Sequence, residues 1–285
     1  MVLVCGGPRL HLEAVVTQWI QTDGGRIAYE VLGSGGPPVV AIPGIGDTRA
    51  SYRKLGPALA DAGYTVYLTD LRGHGESDVG FASHRSEDIG DDVLRLVEGL
   101  DLRDVTLLGN SVGAAASVHA SLGSDRIGRI VLLSGFVSDP PKFGLLRFML
   151  LLMFAWPWGV WAWGKYRRTL FKTAPADMGA NHTAVLENLR QPGRLRALRA
   201  MMRASKASIA ARLGDVSVPA LIAMGAQDPD FPNPKGEARR QETLLGGQNQ
   251  VVMVEQAGHY PQIERPEETT RAILEFIRND GGDGA

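Results

Sequence analysis

The sequence lacks most of the features that would place it outside ordinary globular enzymes. One cysteine, Cys5, in 285 residues excludes an internal disulfide framework and a multi-cysteine zinc site. The formal net charge is only −1, so the total gives no reason to expect a nucleic-acid partner. No glycine-rich loop leads into the Lys-Ser/Thr of a phosphate cradle, and no histidine pair among the six has metal-ligand spacing. Neither a cofactor nor a metal is therefore expected. An apolar run of about 20 residues, the length a spanning helix needs, is missing too. Residues 148–163 are apolar throughout but too short, and Pro157 and Gly159 interrupt them. Met1 to Pro8 has no basic n-region and only the short apolar stretch Val2 to Val4, so a secretory leader is not expected and a cytoplasmic location is.

What is present describes a folded α/β chain. Hydrophobic residues make up 44%, charged residues 21% and aromatics 7%, the balance of a globular protein with a sizeable core. Residues 15–32 read as two short strands around the turn composition Asp23-Gly24-Gly25, which favours a hairpin. Short, almost wholly apolar runs follow at 38–42, 64–68, 105–108, 130–133, 220–224 and 251–254. Such runs fit strands buried on both faces of a parallel sheet. Segments with helical spacing lie between them, among them Ile89, Val93, Leu96, Val97 and Leu100, so the expected class is α/β with a mostly parallel sheet flanked by helices.

The alternation stops after Ser134 and resumes near Val218. Residues 137–217 read as an inserted helical unit, leaving 1–136 and 218–285 as the core, with 1–14 an extension and 281–285 a flexible tail. The insertion also breaks the charge balance. Residues 142–212 hold 13 Lys and Arg against 2 acidic residues, a formal +11, so the remainder carries −12. Near-neutrality is a cancellation between two strongly charged halves.

The chemical signal is Gly109-Asn110-Ser111-Val112-Gly113, placed after an expected strand and before an Ala-rich helical start. A serine on such a turn needs small flanking residues because the backbones approach closely, and the helix N-terminus behind it suits a developing oxyanion. On these residues the chain resembles the α/β-hydrolase superfamily, over nearly everything from Val15 to Ile277. The resemblance implies an eight-stranded sheet, a helical cap over the nucleophile, and the chain order Ser, Asp, His. Ser111 would be the nucleophile. His259, in Gly-His after a late strand, would be the base. Asp228, in Met224-Gly225-Ala226-Gln227-Asp228, would orient it, with Asp139 and Asp230 as alternatives. The amides of Val112 and Ile45 would form the oxyanion hole, Ile45 lying in Pro43-Gly44-Ile45-Gly46 where relatives often have His-Gly. Asp70 to Ser77 resembles a structural loop of the family, which makes His74 a loop histidine. His11, His84, His119 and His182 have no comparable setting.

A serine at 111 argues against the aspartate-nucleophile dehalogenases and epoxide hydrolases. Asn110 is similar to the Gly-Asn-Ser of carbon–carbon bond hydrolases, although Tyr260 stands where those relatives have Trp. The expected activity is cleavage of a carboxylic ester or lactone, with carbon–carbon hydrolysis and a non-hydrolytic sensor as alternatives. Substrate contacts are expected from Asn110, Phe154, Trp156, Trp158, Trp161 and Tyr260. Aromatic walls suit a hydrophobic or amphipathic small molecule, and the basic cap suits an amphipathic acid, a peripheral contact with an anionic membrane, or simply solvent.

Overall fold

Aliphatic runs without polar alternation become the strands of one central sheet. The computed structural model describes residues 16–140, 143–155 and 157–279; Cys5, His11, Trp156 and the tail fall outside them. Strands β1 Gln18–Thr22, β2 Gly25–Leu32, β3 Pro38–Ile42, β4 Thr65–Thr69, β5 Val105–Asn110, β6 Ile127–Leu133, β7 Ala220–Gly225 and β8 Asn249–Val254 form an eight-stranded sheet in the order β1-β2-β4-β3-β5-β6-β7-β8. Only β2 runs antiparallel to its neighbours β1 and β4. From β4 across to β8 every pairing is parallel.

Several strands extend beyond their apolar runs. β6 begins at Ile127, which pairs with Val105, and Arg129 pairs with Thr106, so Gly128 is skipped where the register shifts at Val105/Thr106. Hydrophobicity marks where a strand is buried, whereas ladder hydrogen bonds continue into its half-exposed ends.

Helices α1 Leu55–Asp61, α2 Ser86–Gly99 and α3 Val112–Gly123 alternate with these strands. Period-two geometry sends Val40, Ile42 and Leu107 to one face, where α2 and α3 cover them. Val39, Ala41 and Leu108 go to the other, and each such buried aliphatic contributes roughly 1.5–3 kcal/mol.

Between β6 and β7 lie α4 Phe143–Met153, α5 Gly159–Thr169, α6 Met178–Arg190, α7 Arg194–Arg203 and the single turn α8 Ala207–Ala210. After β7 come α9 Pro234–Leu244, the short α10 Pro261–Glu264, and α11 Pro266–Asn279, which returns Ile273, Phe276 and Ile277 to the second face beside α1. The α4–α8 segment has its own small apolar centre of Phe154, Trp163, Val185, Leu189 and Leu198. Polar ties fasten it to the sheet unit. Arg53 donates to both carboxylate oxygens of Asp177 at 2.7 and 2.8 Å, and Asn188 exchanges two hydrogen bonds with the backbone of Gly75. Arg194 donates to the carbonyl of Ser77 at 2.9 Å. Part of the positive charge is thus spent in holding the two units together. Among the described residues no helix is long and apolar enough to cross a membrane.

Candidate active site

β5 delivers Ser111 onto a turn that few side chains tolerate. Its backbone sits at φ 55°, ψ −116°, outside the regions an L-residue prefers, and such positions persist only where the surroundings over-determine them. The neighbouring glycines show the constraint. A Cβ on Gly109 would stand 2.3 Å from the carbonyl oxygen of Gly113, and one on Gly113 would stand 2.4 Å from that of Ile42. Tyr52, fully buried, braces the turn with its hydroxyl 2.9 Å from the carbonyl oxygens of both Ile42 and Leu108, its one proton serving the two. α3 starts directly behind Ser111, so its positive dipole end faces the hydroxyl.

His259 sits in the loop between β8 and α10, 3% exposed. Its Nδ1 is 2.8 Å from Oδ2 of Asp228, which follows β7 and is itself buried. The other Asp228 oxygen accepts the amide of Asp230 at 3.0 Å. With Nδ1 engaged, Nε2 is the ring nitrogen left for other partners. Burial disfavours the imidazolium, but Asp228 at hydrogen-bond distance, with Asp230 and Asp47 behind it, outweighs burial and raises the His259 pKa above its ordinary value. Asp230 lies farther off, 3.8 Å from Nδ1, and takes the Tyr166 hydroxyl at 2.6 Å. Asp139 is occupied elsewhere, accepting from Ser205 and from the Lys206 amide. Of the three carboxylates considered, Asp228 therefore has the contact with the imidazole.

Ser111 and His259 open into one cavity of about 360 Å³, and Ile45, Val112 and Tyr260 line it as well. No direct hydrogen bond joins Ser111 to His259 in this geometry, and such contacts often tighten only with substrate bound. Ile45 and Val112, the latter at the first position of α3, line the cavity on either side of Ser111. The Ile45 loop is held without the histidine its relatives often have. His74 accepts the Gly46 amide on Nε2 at 3.2 Å while Nδ1 contacts the carbonyl of Arg72 at 3.1 Å. Burial pushes the His74 pKa down to about 4, consistent with a neutral ring that donates on one side and accepts on the other. Gly46, at φ 73°, has to be glycine for a second reason, since a Cβ there would lie 2.3 Å from the indole of Trp163.

Asp47 ties this loop to two other parts of the site. Arg167 of α5 donates to its Oδ1 from Nε, with a second nitrogen also 2.9 Å away. Tyr260 donates to Oδ2 at 2.6 Å. A second clamp comes from Glu264, which accepts the amides of Gly258 and Tyr260 and, across about 90 residues, those of Lys172 and Thr173. The His259 amide completes it by donating to the carbonyl of Leu170 at 2.8 Å.

The expected substrate contacts distribute differently. Tyr260 is on the cavity wall. Asn110 is fully buried away from it, and its amide donates to the carbonyls of Leu133 and His259, so it tethers the histidine loop. Phe154 is buried inside the α4–α8 unit against Trp163 and Tyr166. Trp158 and Trp161 are 51% and 65% exposed on the outer surface. Trp163, one of the aromatics the insertion's composition offers, does line the cavity, and the walls that composition did not mark are Phe136, Leu150, Tyr166, Met201 and Lys206. Helical phase could have marked Trp163 and Tyr166 as neighbours, but not which way they faced.

Asp228, Asp230 and His259 place one ligand atom each within 4.8 Å of one another, the grouping of that kind among the described residues. The 2.8 Å separation of Asp228 from His259 is that of a hydrogen bond, and Asp230 is already paired with Tyr166.

A mostly parallel sheet with a serine raised on a strand-to-helix turn, lining one cavity with an imidazole from a later loop, is the arrangement of an α/β-type hydrolase. The chain belongs to the alpha/beta hydrolase family, whose model matches residues 39–272. It is 29% identical over 275 residues, 89% of this chain and 92% of the relative, to a 2-hydroxy-6-oxononadienedioate/2-hydroxy-6-oxononatrienedioate hydrolase of Pseudomonas putida. A dihydrolipoyllysine-residue acetyltransferase component of an acetoin cleaving system from the same organism is 28% identical over 282 residues, covering 90% of this chain and 68% of that protein. Among solved structures, a thermophilic esterase from Thermogutta terrifontis aligns with a TM-score of 0.74 at 25% identity, over 93% of this chain and 98% of its own.

Proposed function

We propose that this protein is a serine hydrolase that cleaves carboxylic esters or lactones of hydrophobic or amphipathic substrates. The observation that carries the reading is Ser111 on its strained turn in the same cavity as a His259–Asp228 pair. His259 Nε2 takes the Ser111 proton as the hydroxyl attacks the carbonyl carbon, and Asp228 stabilises the imidazolium that forms. The carbonyl oxygen gains negative charge, which the Ile45 and Val112 amides meet without reorganising. The imidazolium then protonates the departing alcohol, and water, deprotonated by His259, releases the acyl group from Ser111.

The cavity chemistry supports an amphipathic acyl group. Its walls are mostly aliphatic and aromatic, Lys206 is the cation among the described lining residues, and the buried indole N–H of Trp163 has no acceptor. Carbon–carbon hydrolysis is the second reading, favoured by the names of several relatives. The test is a fluorophosphonate label and a panel of short- to long-chain esters, run beside Ser111→Ala. Labelling and turnover in the wild type only are expected. Equal turnover by both proteins would remove Ser111 as nucleophile, and a wild type inert to probe and esters would favour the other reading or a binding role.

A further inference from the structure

α4 turns its apolar surface the wrong way for a helix that merely covers a site. Leu145, Phe148, Met149 and Leu152, at positions i, i+3, i+4 and i+7, share one face and are 65%, 59%, 59% and 56% exposed. Trp158, which donates from Nε1 to the carbonyl of Leu152 at 3.3 Å, carries the patch onto the start of α5, where Trp161 is exposed as well. On a soluble protein a contiguous apolar patch of this kind marks an interaction surface. Its surroundings are cationic. Lys165 lies over the Trp161 ring at 5.8 Å, and Arg199 of the basic helix α7 reaches the carbonyl of Leu151 at the end of α4. An apolar face with interfacial tryptophans and a basic border matches a helix lying in the headgroup boundary of an anionic bilayer. A second protein copy fits less well, because it would bring an equal positive charge against the +11 of this segment. The opposite side of α4 supplies Leu150 to the cavity that holds Ser111, so one helix joins the outer patch to the reacting centre.

We propose that the α4 face and Trp158 and Trp161 dock this protein on anionic lipid bilayers, so that amphipathic substrates reach Ser111 from the membrane. The delivery half rests on the hydrolase reading above; the docking half does not. The test is co-sedimentation with vesicles of phosphatidylcholine alone and with 30 mol% phosphatidylglycerol, where the composition is about that of a moderately anionic membrane. Wild type and Met149→Glu/Leu152→Glu are compared, with p-nitrophenyl acetate turnover, circular dichroism and light scattering on both. The expected result is binding to the anionic vesicles that falls about ten-fold or more in the double variant, with fold and soluble-ester turnover unchanged. Wild type that stays in the supernatant, or binds both vesicles equally, overturns the proposal. So does a wild-type dimer that the variant dissociates, since a second copy would then cover the face. Docking with no turnover of p-nitrophenyl acetate or of the ester panel, and no fluorophosphonate label, in either protein would refute the hydrolase reading alone.

Discussion

Replacing Arg167 with Met tests how much the buried Arg167–Asp47 ion pair contributes to joining the α4–α8 unit to the Ile45–Asp47 loop. The side chains of Arg167 and Asp47 are each 1% exposed, with two nitrogen contacts at 2.9 Å. Removing one partner of such a pair leaves the other charged and dry, which costs about 3–5 kcal/mol. The guanidinium also lies 5.3 Å from the Phe171 ring and 5.5 Å from that of Tyr260, contacts that Met replaces in volume but not in charge. Asp47 would keep only the Tyr260 hydroxyl. Urea unfolding of Arg167→Met is therefore expected to show about 3–5 kcal/mol less stability. Since Asp47 is two residues from Ile45, kcat should fall as well, by up to the 10²–10³-fold or so of a lost oxyanion donor. Removing both charges separates the causes: Arg167→Met/Asp47→Asn should recover much of the stability, because a neutral pair carries little desolvation cost. A single variant within about 1 kcal/mol of wild type, the range of an exposed pair, would refute this account of how the units are joined.

The raised pKa of His259 gives activity and stability opposite pH trends. His259 must be neutral to accept the serine proton, so the acid limb of kcat/KM is expected above pH 6.5, the ordinary histidine value of about that size; a limb at or below it would contradict the charge cluster. The stabilisation from protonated His259 is full below the unfolded pKa and lost as pH rises through the folded one. The stability gap between wild type and His259→Gln should therefore shrink across that interval in denaturant titrations. Gly113→Ala should lower expression and melting temperature, since its Cβ would sit 2.4 Å from the Ile42 carbonyl oxygen; an unaffected protein would mean the turn relaxes freely. Lys206→Met should lower kcat/KM about 10- to 100-fold for acyl groups ending in a carboxylate, the range of a charge-assisted hydrogen bond, and leave neutral acyl esters unchanged. Equal effects on both series would place Lys206 in a structural role.

The sheet and the placement of the candidate site residues at strand ends were legible for the same reason. Ser111 and Asp228 follow the fully buried strands β5 and β7, and His259 follows β8, a half-buried edge strand whose residues 251–254 still form an apolar run; such runs mark the strand ends where these residues stand. The substrate wall was not legible, because the inserted helices are apolar on more than one side. Trp158, Trp161 and Trp163 are similar in composition, yet two face outward and one lines the cavity. Periodicity orients a helix only when one face is polar. Asn110 misled for another reason: its position beside the nucleophile suggests substrate contact, while its amide satisfies two buried carbonyls. Glu264 gave no local sign, since its role depends on Lys172 and Thr173 meeting it in space.

The Glu264 clamp limits how this scaffold can be re-engineered. Because the segment at Leu170 to Thr173 shares its hydrogen bonds with the histidine loop, the insertion is not an interchangeable module. A chimera that grafts another relative's helices between β6 and β7 would also remove the acceptor of the His259 amide and the cationic partner of Asp47. Successful swaps should carry these attachment points across with the helices, and substrate range is more safely altered at Leu150, Met201 and Met202, which face the cavity without anchoring its chemistry.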